Sequence, residues 1–143
     1  MVKAVLIIGV GNPLRGDDAA GHVVCEKIEA ISLADITTLK VHQLQTELLE
    51  EMMSYRKVLI VDAAVGIKEV SVNKVKDSQS GFASSHHAPA GVLKSLAMKL
   101  YNIDIDMYTC AIPALDFAVG KGLTAEAKFY VDAAIEKIKQ WLG

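Results

Sequence analysis

In Lys3-Ala-Val-Leu-Ile-Ile-Gly-Val-Gly-Asn-Pro-Leu-Arg-Gly-Asp-Asp18, an apolar run passes into a glycine-rich turn and ends on two adjacent acids. The run Lys3–Gly9 has no polar alternation, which suits a strand covered on both faces. The acids open a helical pattern over Asp18–Ala30, with Ala20, Val23, Val24 and Ile28 on one side. A doubly covered strand, a glycine turn and a helix form the first half of a βαβ unit.

The rest of the chain repeats this alternation. Thr37–Val41 reads as a short strand, and Thr46–Tyr55 as a helix with Leu48, Leu49, Met52 and Met53 at helical spacing. Lys57–Val61 is a third buried strand ending at Asp62. Glu69–Lys76 sets Val70, Val72 and Val75 among polar residues, as an edge strand would. Pro89–Leu100 is a helix with Val92, Leu93, Leu96 and Leu100 as its buried stripe. Ile103, Ile105 and Met107 lead into Cys110–Ile112 as a fifth strand. Thr124 caps a last helix with a stripe of Ala127, Tyr130, Val131, Ala134, Ile135, Ile138 and Trp141. Met52, Met53, Met98 and Met107 read as core. The order βαβαββαβα predicts an α/β fold: a three-layer α/β/α sandwich around a mostly parallel five-stranded sheet, in flavodoxin-like order. Residues 1–143 form one domain, with no repeat or linker. Asp77–Ser85 reads as a polar loop.

Composition narrows the function. The chain has 143 residues, 52% hydrophobic and 22% charged, with a formal net charge of -2. Mean hydropathy is +0.31, which argues against disorder. The slightly acidic balance argues against an electrostatic nucleic-acid binder, which needs a basic face. No apolar run is long enough to span a bilayer, and no leader pattern opens the chain. Cys25 and Cys110 are far apart in sequence, so they suggest a reducing, cytoplasmic setting and no CxxC zinc site. A monomer is expected.

In a doubly wound sheet, ligands bind outside the carboxyl ends of the strands, where the strand order reverses. Three segments fall there. The first is the turn Gly9–Asp18. It is weak as a dinucleotide motif, because Leu14 stands where a third glycine belongs and no Walker lysine follows Gly16. Asp17 and Asp18 could cap the helix, yet two adjacent acids exceed what capping needs. The second is Asp62, which lies near Asp18 if the first and third strands are neighbours. The third is Ser84-Ser-His-His-Ala-Pro89. His22 and His42 read as structural, although His42 ends a strand at the same edge. Two carboxylates and an imidazole converging from three loops suit an open site for nickel, zinc, manganese or iron. A carboxylate pair could instead share a proton and act on water.

These residues resemble the maturation endopeptidases of nickel–iron hydrogenases. Gly9, Gly11, Asn12, Leu14, Asp17, Asp18 and Gly21 match that family's GxGNxLxxDDxxG opening. Val61-Asp62-Ala63 is similar to its strand-end aspartate. Ser84-Ser-His86-His-Ala-Pro89 is similar to its Ser/Thr-x-His-x-x-Pro segment, and Pro113 to Thr124 resembles the turn before its last helix. The resemblance implies an endopeptidase that removes the C-terminal extension of a hydrogenase large-subunit precursor after nickel insertion. It implies that Asp18, Asp62 and His86, with His87 as the fallback, meet nickel supplied by the substrate; other divalent metals suit the same donors. Asp18, Asp62 or Asp17 would act in hydrolysis, and Gly11, Asn12 and His87 would contact the substrate. A nickel chaperone or sensor without proteolysis is the alternative reading of the same residues.

Overall fold

The computed structural model describes residues 3–76 and 90–143. Five strands form one sheet: β1 (Lys3–Val10), β2 (Ile36–Val41), β3 (Tyr55–Ala64), β4 (Ser71–Lys74) and β5 (Met107–Pro113). Four helices flank it: α1 (Ala20–Ile31), α2 (Leu48–Met52), α3 (Ala90–Tyr101) and α4 (Ala125–Leu142). A 3-10 turn over Gly16–Ala19 leads into α1. The sheet order is β2-β1-β3-β5-β4. β1 runs parallel to β2 and β3, and β3 parallel to β5; β4 is an antiparallel edge on β5. The expected mostly parallel α/β sheet is therefore present, and its 2-1-3 portion matches flavodoxin-like order. The difference lies beyond β3, where β5 takes the inner place and β4 the edge.

Alternation along the strands builds the layers. Val5 and Ile7 of β1, with Leu59 and Val61 of β3, pack under α1 and α4 against Val24, Ile28, Val131 and Ile138. Leu6 and Ile8, with Val58 and Ile60, face the other way onto Leu49, Met52, Leu93 and Ala97. Both faces are thus covered, which is why the strand residues read as unbroken apolar runs.

Several local expectations change. α2 is shorter than Thr46–Tyr55, because Tyr55 already pairs with Lys3 in the sheet. Asp62 lies within β3, since the β3–β5 ladder continues through Ala64 and Pro113. On α3, Leu93 and Ala97 are buried, whereas Leu100 and Met98 face outward. Lys94 takes the place expected of an apolar residue there. Its ammonium is bonded to Asp104 and, at 2.7 Å, to the Ile105 carbonyl, and these partners compensate its burial. Cys25 and Cys110 are free and buried, and burial pushes both thiols up to about 12. Neither forms a disulfide.

The start of α1 is pressed onto the sheet. A methyl group at Gly21 would stand 2.5 Å from the Val61 carbonyl oxygen and 2.9 Å from the backbone of Val10. Those neighbours are strand backbone and cannot yield locally. Gly21→Ala is therefore expected to destabilise the chain by about 2–3 kcal/mol, read as a lower midpoint in urea with an unchanged slope. An unchanged midpoint would show that α1 can lift without cost.

Candidate active-site cleft

The carboxyl ends of β1, β2 and β3 open into a cleft of about 450 Å³, within the range of small-ligand sites. Its wall begins at Gly11, whose φ of 143° is a conformation side chains rarely adopt. A Cβ there would run into the Asp18 carbonyl oxygen, so only glycine lets the turn close on itself. Asn12 then builds the bend. Its Oδ1 accepts from the Leu14 N–H at 2.9 Å, and its carbonyl accepts from the Arg15 N–H at 3.1 Å. The Asn12 N–H donates to Asp18 Oδ2 at 2.9 Å. Asp18 thus reaches back across the turn and does not cap α1.

Asp62 faces Asp18 from the neighbouring strand. The β1–β3 register pairs Val10 with Asp62, and both acids line the cleft. Burial pushes the Asp62 carboxyl up to about 7, and the charge of Asp18 adds to the rise against a hydrogen bond at Ala63. Two half-buried carboxylates lining one cleft form a natural seat for a cation or a shared proton.

Asp17 is not brought to the cleft. Its side chain is fully buried. It accepts from the Leu115 and Asp116 N–H groups at 2.7 and 3.1 Å, and from the N–H and hydroxyl of Thr124 at 2.8 and 3.1 Å. Its own N–H donates to the Asp116 carbonyl at 2.7 Å. Burial alone would raise its carboxyl, but the hydrogen bonds from Thr124, Leu115 and Asp116 outweigh it and hold the carboxyl below its ordinary value. The Thr124 hydroxyl also accepts from the Ala127 N–H at 3.1 Å, so the expected cap of α4 shares in this anchor. Neighbours in sequence thus do separate work: Asp18 faces the cleft, while Asp17 ties the loop before α4 to the opening turn.

Gly11, Asn12, Asp18 and Asp62 are the expected site residues that come together. His86 and His87 lie outside the described residues. Among the described residues, no three His, Cys, Asp or Glu side chains group closely enough to hold a metal ion.

Known proteins share this arrangement of chain. No family model matches the sequence. A Methanocaldococcus jannaschii protein named as a candidate hydrogenase maturation protease is 28% identical over 151 aligned positions, covering 95% of this chain and 94% of the relative. The NiFe hydrogenase maturation protease HybD of Thermococcus kodakarensis superposes with a TM-score of 0.76 at 22% identity, over 98% of this chain and 99% of that one. The hydrogenase maturating endopeptidase HybD of Escherichia coli does so with a TM-score of 0.78 at 21% identity, over 97% and 91%. The chain resembles the hydrogenase maturation proteases. The likeness in fold covers nearly the whole chain.

Other residues line the cleft besides the expected ones. Arg15, His42, Gln43, Val65 and Phe117 are among them. His42 follows β2 and meets the His22 ring edge-on, with centroids 6.4 Å apart. His22 itself is buried, with its Nε2 2.9 Å from the Val41 carbonyl. Strand adjacency was the available signal for His42, since β2 borders β1 at the ligand-binding edge. Phe117 gave no local signal, because the bonds of Asp17 are what bring its loop across.

Among the described residues, no helix is long and apolar enough to cross a membrane.

Proposed function

We propose that this chain is an endopeptidase that removes the C-terminal extension of a nickel–iron hydrogenase large-subunit precursor once nickel is in place. The meeting of Asp18 and Asp62 in one cleft carries the reading. Two converging carboxylates offer oxygen donors to a divalent cation, and their mutual repulsion falls when the cation arrives. The nickel belongs to the substrate. Asp18 and Asp62 bind it from the protease side, and the motif supplies His86, or His87 beside it, as the nitrogen donor. The resemblance in sequence and fold to hydrogenase maturation proteases supports the same reaction.

Nickel recognition would gate the cut. Without the cation, Asp62 sits near its midpoint at neutral pH and Asp18 opposes a second charge beside it. A nickel-loaded precursor relieves both and is held with its extension across the cleft. Asp62 is also the better placed acid for moving a proton, because its raised carboxyl lies close to working pH. Asp17 is unsuited to either role, with its oxygens engaged by the loop before α4.

Incubation with a nickel-loaded large-subunit precursor, read by intact mass, tests the proposal. Shortening with nickel and none with the nickel-free precursor is expected. Tight nickel-dependent binding without shortening would favour a chaperone that uses the same carboxylates.

A further inference from the structure

The described lining of the cleft carries charges of both signs. Asp18 and Asp62 supply the negative ones, and Arg15 alone carries a permanent positive charge. The guanidinium carbon of Arg15 stands 6.0 Å from the centre of the Phe117 ring. Among the described residues it enters no ion pair, and the Asp18 carboxylate is engaged instead by the Asn12 N–H.

The rim that carries Arg15 and Phe117 is firmly built. Arg15 bridges to Val119, and the Gly120 N–H donates to the Leu14 carbonyl at 3.0 Å. Asp17 pins Leu115 and Asp116 immediately before Phe117. Held against an aromatic face, a guanidinium keeps N–H donors at its edge in the fork that matches a carboxylate.

We propose that Arg15, backed by Phe117, is a specificity-determining residue that takes a carboxylate of the substrate's C-terminal segment. This rests on the endopeptidase reading above. The two acids repel an anionic group from their part of the cleft and accept a cation, while Arg15 does the reverse. A substrate carrying nickel at one point and a carboxylate farther along its chain is thereby seated in one direction. Extensions lacking that carboxylate leave the guanidinium without a partner and are disfavoured. The carboxylate can come from a side chain or from the chain terminus.

The test compares wild type, Arg15→Gln and Arg15→Lys on the nickel-loaded precursor, with each fold checked by its urea midpoint. Arg15→Gln is expected to raise KM about tenfold with kcat within about twofold, and Arg15→Lys to fall between. Precursors in which each acidic side chain of the extension is changed to its amide, and one lengthened by a C-terminal glycine, distinguish the two sources. One of these substrates should weaken wild type by the same factor and Arg15→Gln no further. Full additivity, an unchanged KM in Arg15→Gln, or a loss confined to kcat overturns the role of Arg15 while leaving the protease reading intact. Failure of wild type to bind or process the precursor removes that reading and this proposal with it.

Discussion

Asp17→Ala is expected to lower folding stability by about 4 kcal/mol, a large share of the total for a chain of this size. The side chain is fully buried and accepts from three backbone N–H groups and one hydroxyl. Alanine leaves those donors facing a void, and each unsatisfied buried group costs about 1–3 kcal/mol before water or local movement relieves it. The damage would spread along the loop, since Thr124 also caps α4. Asp17→Asn preserves the shape but replaces one accepting oxygen with a donor, so about half of the loss should remain. The pH dependence has a definite sign. The folded carboxyl is depressed, so its contribution is full above the ordinary value near 3.8 and fades as pH falls through the folded one. Urea midpoints at pH 7 and pH 3 check this: wild type should lose its advantage over Asp17→Asn on acidification. Residual processing by Asp17→Asn should track its folded fraction, because Asp17 lies outside the cleft. Near-wild-type stability with abolished processing would return Asp17 to the catalytic set.

That result would also mark where sequence reading stops. Periodicity reports what each segment buries, and so the order βαβαββαβα and the doubly covered strands were legible. It does not report which strands pair. The exchange of β5 and β4 depends on long-range pairing, such as Asp62 with Ala111, which leaves no local trace. The acids Asp17 and Asp18 show the same limit at the scale of single residues. Both stand in one motif, and their separation depends on partners far apart in sequence: Asp18 bonds six residues back, and Asp17 bonds residues 98 to 107 positions ahead. Arg15 was visible inside the opening turn, but its ring partner was not, because Phe117 reaches the cleft through the loop that Asp17 holds. On α3, Lys94 entered the interior because Asp104 and the Ile105 carbonyl receive its ammonium, a pairing that a hydrophobic stripe does not encode. Asp62 was legible as a polar residue closing an apolar run, although β3 continues two residues past it to Ala64.

Asp62→Asn is expected to cut processing of the nickel-loaded precursor at least 100-fold while making the metal-free chain more stable at alkaline pH. The two effects share a cause. Burial, reinforced by the charge of Asp18, pushes the folded carboxyl up to about 7 from an ordinary value of 3.8. Between those values the folded chain binds a proton that the unfolded chain releases. Its stability therefore falls as pH rises through this window, and the penalty is complete above the folded value. Asparagine carries no charge at any pH in the range and avoids the penalty. Wild type and Asp62→Asn should thus be similarly stable near pH 4 and diverge by on the order of 2 kcal/mol by pH 8, a figure reduced for the access that water keeps to a cleft. Urea unfolding without metal across pH 4 to 8 measures that divergence, and intact mass after incubation with precursor measures the activity. A variant that is stabilised but inactive would show a charge kept in an unfavourable place for the cation it receives. Parallel stability curves would mean that Asp62 is better solvated than its position implies. Wild-type processing by Asp62→Asn would remove it from the reaction altogether and leave Asp18 as the acid on which nickel recognition rests.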